Sequence, residues 1–108
     1  MRYAYKDLHT QPRGSEVIVR WSGAAADVLL LDPVNFVKYC EGRDPVMYGA
    51  GGHASRSPAR LTIPEDGRWY VVADLRGYST LAQATVQVVK PGEPAEREPK
   101  EEAVLTLG

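Results

Sequence analysis

The sequence predicts an all-β protein: a small β-sandwich of six to eight mainly antiparallel strands with one short helix. The clearest observation is the segment 57–75, where apolar and polar residues alternate on both sides of a turn signal at 64–67. A period of two places one face of a strand in a core. Short alternating runs separated by turn residues recur along residues 1–90, which is typical of a sandwich. A small open barrel fits the same pattern.

We interpret residues 57–75 as a β-hairpin, strand, tight turn and strand. The turn sequence Pro-Glu-Asp-Gly has the chemistry of a type I turn with glycine at its last position. The apolar residues of each strand share one face: Ala59, Leu61 and Ile63 in the first, and Trp69, Val71, Ala73 and Leu75 in the second. We therefore predict that Trp69 is a core residue. Asp74, on the opposite face, is expected to brace a turn by hydrogen bonding.

Other segments show the same alternation. Residues 3–6, 17–22 and 82–88 predict strands with one wetter face, whereas the run 28–31 is apolar on both faces and predicts a central strand covered twice. Residues 33–42 predict the one helix, of one or two turns. Asp32 can cap it, Pro33 suits its first position and Gly42 can end it. Cys40 falls on its apolar side, so we expect a buried, unreactive thiol.

Two segments lack a strand pattern. Residues 43–58 predict a long, glycine-rich irregular loop. Residues 91–108 form an acidic Pro/Glu-rich tail after a sandwich domain at 1–90, and residues 91–103 are expected to be an extended linker. The apolar end of the tail, Val104, Leu105 and Leu107, predicts a strand added to a sheet edge of the same chain or of a neighbouring one. The second case would give a homodimer.

Composition excludes several classes of protein. The chain has 108 residues and a net charge of −1, with −3 in the tail and +2 in residues 1–90, too little positive charge for a nucleic-acid binder. One cysteine allows no intrachain disulfide. No apolar run reaches the roughly 18 residues of a membrane helix. Without a hydrophobic signal region at the start, the expected location is the cytoplasm.

The sequence contains only weak matches to phosphate-binding, catalytic and metal-binding motifs. The glycines at 49–52 are not followed by the Lys-Ser/Thr of a phosphate loop. A catalytic nucleophile and base could be drawn from His53 with Ser55 or Ser57, or from His53 with Cys40. The sequence has no nucleophile-elbow pattern to support either set. A metal site could combine the two histidines, His9 and His53, with an aspartate. The histidines lack the i,i+2 or i,i+4 spacing that is typical of metal ligands. The aspartates considered are Asp32, Asp44 and Asp74. We predict no catalytic residues, no metal and no cofactor.

A candidate ligand- or partner-binding group lies in or beside the glycine-rich loop. Arginine and tyrosine are enriched in binding hot spots, and loops on β scaffolds commonly bind ligands. The alternative is structural: the tyrosines pin the loop to the sandwich and the arginines are solvated. The candidate residues are Tyr39, Arg43, Tyr48, His53 and Arg56.

A series of residues in a specific order spans most of residues 1–90. Its most specific parts are an Asp-x-x-Asn-Phe-x-x-Tyr box at 32–39 and a Pro-x-x-Gly-x-Trp motif at 64–69. In these residues the chain resembles the bacterial family called domain of unknown function 1883. The resemblance implies an all-β sandwich of unknown activity, with no catalytic residues to carry over. Relatives joined to TIR signalling domains imply a sensing or docking role. The chain differs from the family at residues 50–53 and in the acidic tail.

Two functions fit these observations. The first is a non-catalytic interaction module for a protein partner or small ligand, accessory to bacterial signalling or defence. The second is a small hydrolase or nucleotide-acting enzyme that uses the loop around His53. The absent catalytic pattern and the arginine and tyrosine group favour the first.

Overall fold

The alternating segments form two antiparallel sheets in a computed structural model, which describes residues 3–21, 26–43, 48–54, 57–74, 84–92 and 103–107. Seven strands of four or more residues occur in these ranges, with two strands of two residues near the end of the chain. The strands are β1 Tyr3–Gln11, β2 Glu16–Trp21, β3 Ala26–Leu31, β4 Tyr48–Ala54, β5 Ala59–Thr62, β6 Gly67–Asp74, β7 Ala84–Val89, β8 Ala103–Val104 and β9 Thr106–Leu107.

The strands divide into a five-stranded sheet, in the order β4-β3-β6-β1-β9, and a four-stranded sheet, in the order β5-β2-β7-β8. Buried apolar side chains from both sheets form one main core between them. Trp69 lies in this core with 2% of its surface exposed, and its indole Nε1 donates to the carbonyl oxygen of Glu65 at 3.0 Å. The predictions of a β-sandwich and of a buried Trp69 are confirmed.

The predicted hairpin at 57–75 is wrong in its pairing. β5 pairs with β2, whereas β6 lies between β1 and β3 in the other sheet. The connection at 63–66 therefore crosses from one sheet to the other, and Ile63 is held by backbone hydrogen bonds to Gly14 and Ser15 at 2.9 Å. Alternation reports which face of a strand is buried. The same alternation is expected of two strands that face each other across a core and of two strands that are paired side by side in one sheet.

Strand β3 is covered on both faces, as predicted. Val28 and Leu30 lie in the main core between the sheets, while Leu29 and Leu31 lie in a second cluster on the outer face of the five-stranded sheet. Strand β3 is flanked by β4 and β6. A strand with neighbours on both edges and layers on both faces has little use for polar side chains, which explains its continuous apolar run.

The helix α1 spans Pro33–Cys40 and covers the outer face of the five-stranded sheet. The carboxylate of Asp32 accepts hydrogen bonds from the backbone N–H of Asn35 at 2.8 Å and from its Nδ2 at 2.9 Å. At the other end Gly42 has φ +76° and donates its N–H to the carbonyl of Tyr39 at 3.0 Å. A left-handed glycine is a common way to end a helix. The predicted helix, cap and terminus are confirmed. No helix in the described part of the chain is long and apolar enough to span a membrane.

The expected irregular loop at 43–58 contains a strand. Residues 48–54 form β4, which pairs antiparallel with β3 from Ala26 opposite Ala54 to Leu30 opposite Tyr48. Glycine has no side chain to alternate, so the sequence Gly-Ala-Gly-Gly carries no period-two pattern although its backbone can pair. This part of the prediction is wrong for that reason.

The end of the tail adds strands to both sheets within the same chain. β8 pairs with Thr85 and Val86 of β7, and β9 pairs with Ala4 and Tyr5 of β1. Between them Leu105 is buried, with 6% of its surface exposed. Edge addition within the chain is thus confirmed. The expected linker falls mainly at 93–102, outside the described residues.

Candidate functional site

One row of cross-strand partners runs across four strands of the five-stranded sheet. Tyr3 of β1 pairs with Asp74 of β6, Asp74 pairs with Asp27 of β3, and Asp27 pairs with His53 of β4. Directly opposed residues project to the same face, so Tyr3, Asp74 and Asp27 lie together on the outer face. Helix α1 packs over this face through Phe36 and Tyr39.

Tyr39 joins the helix to this polar row. Its hydroxyl donates a hydrogen bond to Oδ2 of Asp74, a residue with only 6% of its surface exposed. Burial, and then the carboxylate of Asp74, raise the pKa of Tyr39 above its ordinary value, so the phenol stays protonated and keeps donating. The described donor to Asp74 comes from the helix above it, so the Tyr39–Asp74 bond fixes α1 on the sheet. The expected turn-bracing role of Asp74 involves residues from 75 onward, which lie outside the described part of the chain, and it stays a prediction.

Tyr3 connects the same row to Cys40. The Tyr3 hydroxyl donates to Sγ of Cys40 at 3.3 Å, and its ring meets that of Tyr39 edge-on at 5.1 Å. The hydrogen bond to the thiol, together with burial, raises the pKa of Tyr3 to about 12. Cys40 itself is exposed, so the expectation of a buried thiol is wrong. Tyr39 occupies the inward position, and the next residue lies about 100° further around the helix, at its rim.

An aromatic layer fills the rest of the space beneath the helix. Phe36 stacks on Tyr70 with ring centres 4.1 Å apart and an angle of 5° between the planes, and it meets Tyr5 at 5.3 Å. The guanidinium of Arg68 lies 5.5 Å from the centre of the Tyr70 ring. Arg68 also bonds to Asp7 and thereby lowers the pKa of that carboxyl group. The aromatic contacts of Phe36 and Tyr39 hold α1 against the sheet.

The side of α1 that faces away from the sheet is apolar at two positions. Val34 and Val37 are three residues apart, so they are neighbours on the helix surface, and they are 65% and 50% exposed. Glu41 and Arg43 follow at the end of the helix and pair with each other. We call Val34, Val37, Glu41 and Arg43 the helix surface.

The five predicted site residues have different positions. Tyr39 is half-buried and bonded to Asp74, so it is mainly an anchor of the helix. Arg43 is exposed at the end of α1. Tyr48 and His53 are backbone positions of β4, opposite Leu30 and Asp27, and their side chains are outside the described part of the structure. Arg56 lies outside the described residues. Their role in binding stays a prediction.

Sequence reasoning missed the grouping of Tyr3, Asp27 and Asp74. Each acid interrupts an otherwise apolar strand, and that was the available signal. The grouping depends on the register of three strands that are far apart in the chain, which alternation alone does not give.

Few of the groups considered for catalysis come together in the described ranges. The hydroxyl of Ser57 accepts a hydrogen bond from the backbone N–H of Trp21 at 3.0 Å, which is a structural role. Among the described residues, no three His, Cys, Asp or Glu side chains form a group able to hold a metal ion. The arrangement that is described is a firmly held helix with two exposed valines on its outer side.

The fold and the outer helix define a class: a small antiparallel β-sandwich with one helix fixed across an outer face. Residues 1–92 match the sequence model of the family described as Domain of unknown function (DUF1883), and the chain belongs to this family. The resemblance inferred from the motifs at 32–39 and 64–69 is therefore confirmed. A search of curated proteins and a search of solved structures each returned no match.

Proposed function

We propose that this chain is a non-catalytic interaction module that binds a protein partner through the helix surface. The observation that carries the proposal is the pair of exposed valines, Val34 and Val37, side by side on a helix whose other side is packed against the sheet. We extend the proposal to an accessory role in bacterial signalling or defence, in the cytoplasm. The family resemblance to modules joined to signalling domains supports that extension.

The valines contribute little to folding where they stand. Valine has a lower helix propensity than alanine, leucine or lysine, and an exposed valine gains little from burial. Single exposed apolar residues are ordinary, but two adjacent ones create a small patch that a partner can cover. Complete burial of one such side chain is worth about 1.5–3 kcal/mol, so covering both half-exposed valines gives a gain of that order.

The helix surface is already ordered before a partner arrives. Asp32 caps the helix, Phe36 stacks on Tyr70, and Tyr39 bonds to Asp74. Ordering a surface on binding costs free energy, and a surface held in place avoids that cost. This rigidity supports the helix surface as the binding site.

A predicted site residue lies just beyond the helix that carries the apolar pair. Arg43 is exposed at the end of α1, where it forms an ion pair with the equally exposed Glu41. Exposed ion pairs of this kind are weak, so the guanidinium can exchange Glu41 for a carboxylate of the partner at little cost. The surface therefore suits a partner with an apolar patch bordered by acidic residues.

The test places a photocrosslinking amino acid at position 37 in cells that make the protein, and at position 104 as a control. Val104 is also exposed, at 57%, but lies in β8. We expect one partner to crosslink from position 37 and not from position 104. The purified partner should then bind Val37→Asp at least about tenfold more weakly, while Val104→Asp binds as the unmodified protein does.

Equal crosslinking from both positions, or an affinity that Val37→Asp leaves unchanged, would refute the proposal. The alternative, a small hydrolase or nucleotide-acting enzyme, is tested in parallel with nucleotides and sugars in a thermal shift assay. A ligand present at about 100 times its Kd stabilises a protein by about 2.7 kcal/mol. A shift of that size would favour the enzyme.

A further inference from the structure

The side of the sandwich between β1 and β7 is closed by a segment that lies outside the part of the chain matched by the family model. The family match ends at residue 92, and it includes β1 and β7. Residues 103–107 lie beyond it and fit between these two edges. The two walls thus lie within the family match, and the segment between them lies beyond it.

The segment is held as a peptide ligand is held in an edge groove. Ala103 and Val104 pair with β7, the backbone N–H of Leu105 donates to the carbonyl of Ala84 at 3.0 Å, and Thr106 and Leu107 pair with β1. Main-chain pairing to a sheet edge supplies affinity in such complexes, and side-chain pockets supply specificity.

Leu105 is the side chain that fills the pocket. It is 6% exposed and belongs to the main core, together with Ala84 of β7 and Ala4 of β1. Both of these wall residues are buried alanines, which leave room between the sheets for one larger aliphatic side chain. The neighbouring Val104 is 57% exposed and contributes little to this pocket.

We propose that the edges of β1 and β7 form a peptide-binding groove, and that residues 103–107 occupy it as an internal ligand. The external partner is an extended, strand-forming segment of another protein with a leucine-sized anchor at the position of Leu105. The segment pairs with Thr85 and Val86 of β7 and with Ala4 and Tyr5 of β1, so a partner strand would take its place against both edges. This groove is separate from the helix surface, and the inference does not rest on that surface.

The internal segment competes with an external partner for the groove and so lowers the apparent affinity of that partner. The segment belongs to the same chain as the groove, so it binds there intramolecularly, whereas an external peptide must bind from solution. An external peptide therefore competes poorly until the internal segment is displaced. The chain contains both a binding groove and its competitor.

The test uses a fluorescent peptide with the sequence of residues 101–108 and the full chain. Leu105→Asp in the protein places a charge in the apolar pocket and displaces the internal segment. We expect the peptide to bind this variant at least about tenfold more tightly than it binds the unmodified protein. Val104→Asp in the protein is the matched control and should behave as the unmodified chain. A peptide that carries Leu105→Asp should bind neither.

A second variant keeps the inference testable if Leu105→Asp does not fold. A specific protease site is inserted between Glu96 and Arg97 of the full chain and cut after folding. We expect the cut protein to stay folded and to exchange its own segment for the labelled peptide. Failure of a folded Leu105→Asp variant to bind, or unfolding on cutting, would overturn the groove and make the segment a structural strand. A dimer of the unmodified chain that Leu105→Asp abolishes would also overturn it, by assigning the groove to a second copy.

Discussion

Replacing Tyr39 with phenylalanine removes the hydroxyl that joins helix α1 to Asp74 and leaves the ring in place. The ring contact with Tyr3, at 5.1 Å, does not depend on the hydroxyl. A hydrogen bond to a charged group contributes about 1.5–3 kcal/mol, and the buried carboxylate of Asp74 would lose one such donor. The free energy of unfolding of a domain is about 5–15 kcal/mol. We expect Tyr39→Phe to remove about 1.5–3 kcal/mol of it.

Denaturant unfolding at pH 7 measures this loss, with Tyr5→Phe as the matched control. Tyr5 belongs to the same aromatic layer, at 5.3 Å from Phe36, and its hydroxyl has no hydrogen bond among the described residues. The control should change stability by less than about 0.5 kcal/mol. Equal losses in the two variants, or no loss in Tyr39→Phe, would refute the role given to the Tyr39–Asp74 bond.

Three further predictions concern the core, the thiol and alkaline pH. Trp69→Ala should lower the free energy of unfolding by about 3–5 kcal/mol, because it empties a large buried site; an unchanged melting temperature would contradict this. Cys40 is exposed, so a thiol reagent should label it in the native protein at a rate close to that of a free thiol, and labelling only after unfolding would show the opposite. The raised pKa values of Tyr3 and Tyr39 mean that folding favours the protonated phenols. Their contribution to stability should therefore be complete below about pH 10 and fall as the pH rises further, less steeply in Tyr39→Phe; an equal pH dependence in both proteins would exclude Tyr39 as a cause.

Where apolar and polar side chains alternate, the sequence predicts which side chains are buried. It does not predict which strands pair with each other. Trp69 and Leu61 are buried as their period of two predicts. Their strands, however, lie in different sheets, since alternation is the same for side-by-side and facing strands. Local signals were the most reliable: the cap at Asp32 and the glycine end at Gly42 act within four residues, and both were predicted.

The candidate site was less predictable because it depends on distant register. The residue type of Tyr39 makes it a candidate, but its hydrogen bond to Asp74 depends on how the helix packs on the sheet, which the sequence pattern does not give. Strand β4 gave no signal, because its glycines carry no pattern. The pattern places Cys40 on the buried side of the helix, whereas Tyr39, one residue earlier, takes the position that faces the sheet. A step of one residue turns the side chain about 100° around the helix, which leaves Cys40 exposed at its rim.

The pairing pattern also determines when this fold can form. Tyr3 pairs with Asp74 and Glu16 with Val89, so each sheet contains an inner strand pair that joins residues roughly seventy positions apart. Non-local pairing of this kind slows folding to the millisecond-to-second range. On the ribosome, β1 must wait for β6, and the edges of β1 and β7 stay open until Leu105 emerges. A nascent chain therefore carries exposed strand edges from the synthesis of β1 until residue 105 has emerged, and these edges are the surface that a chaperone would have to cover during that interval.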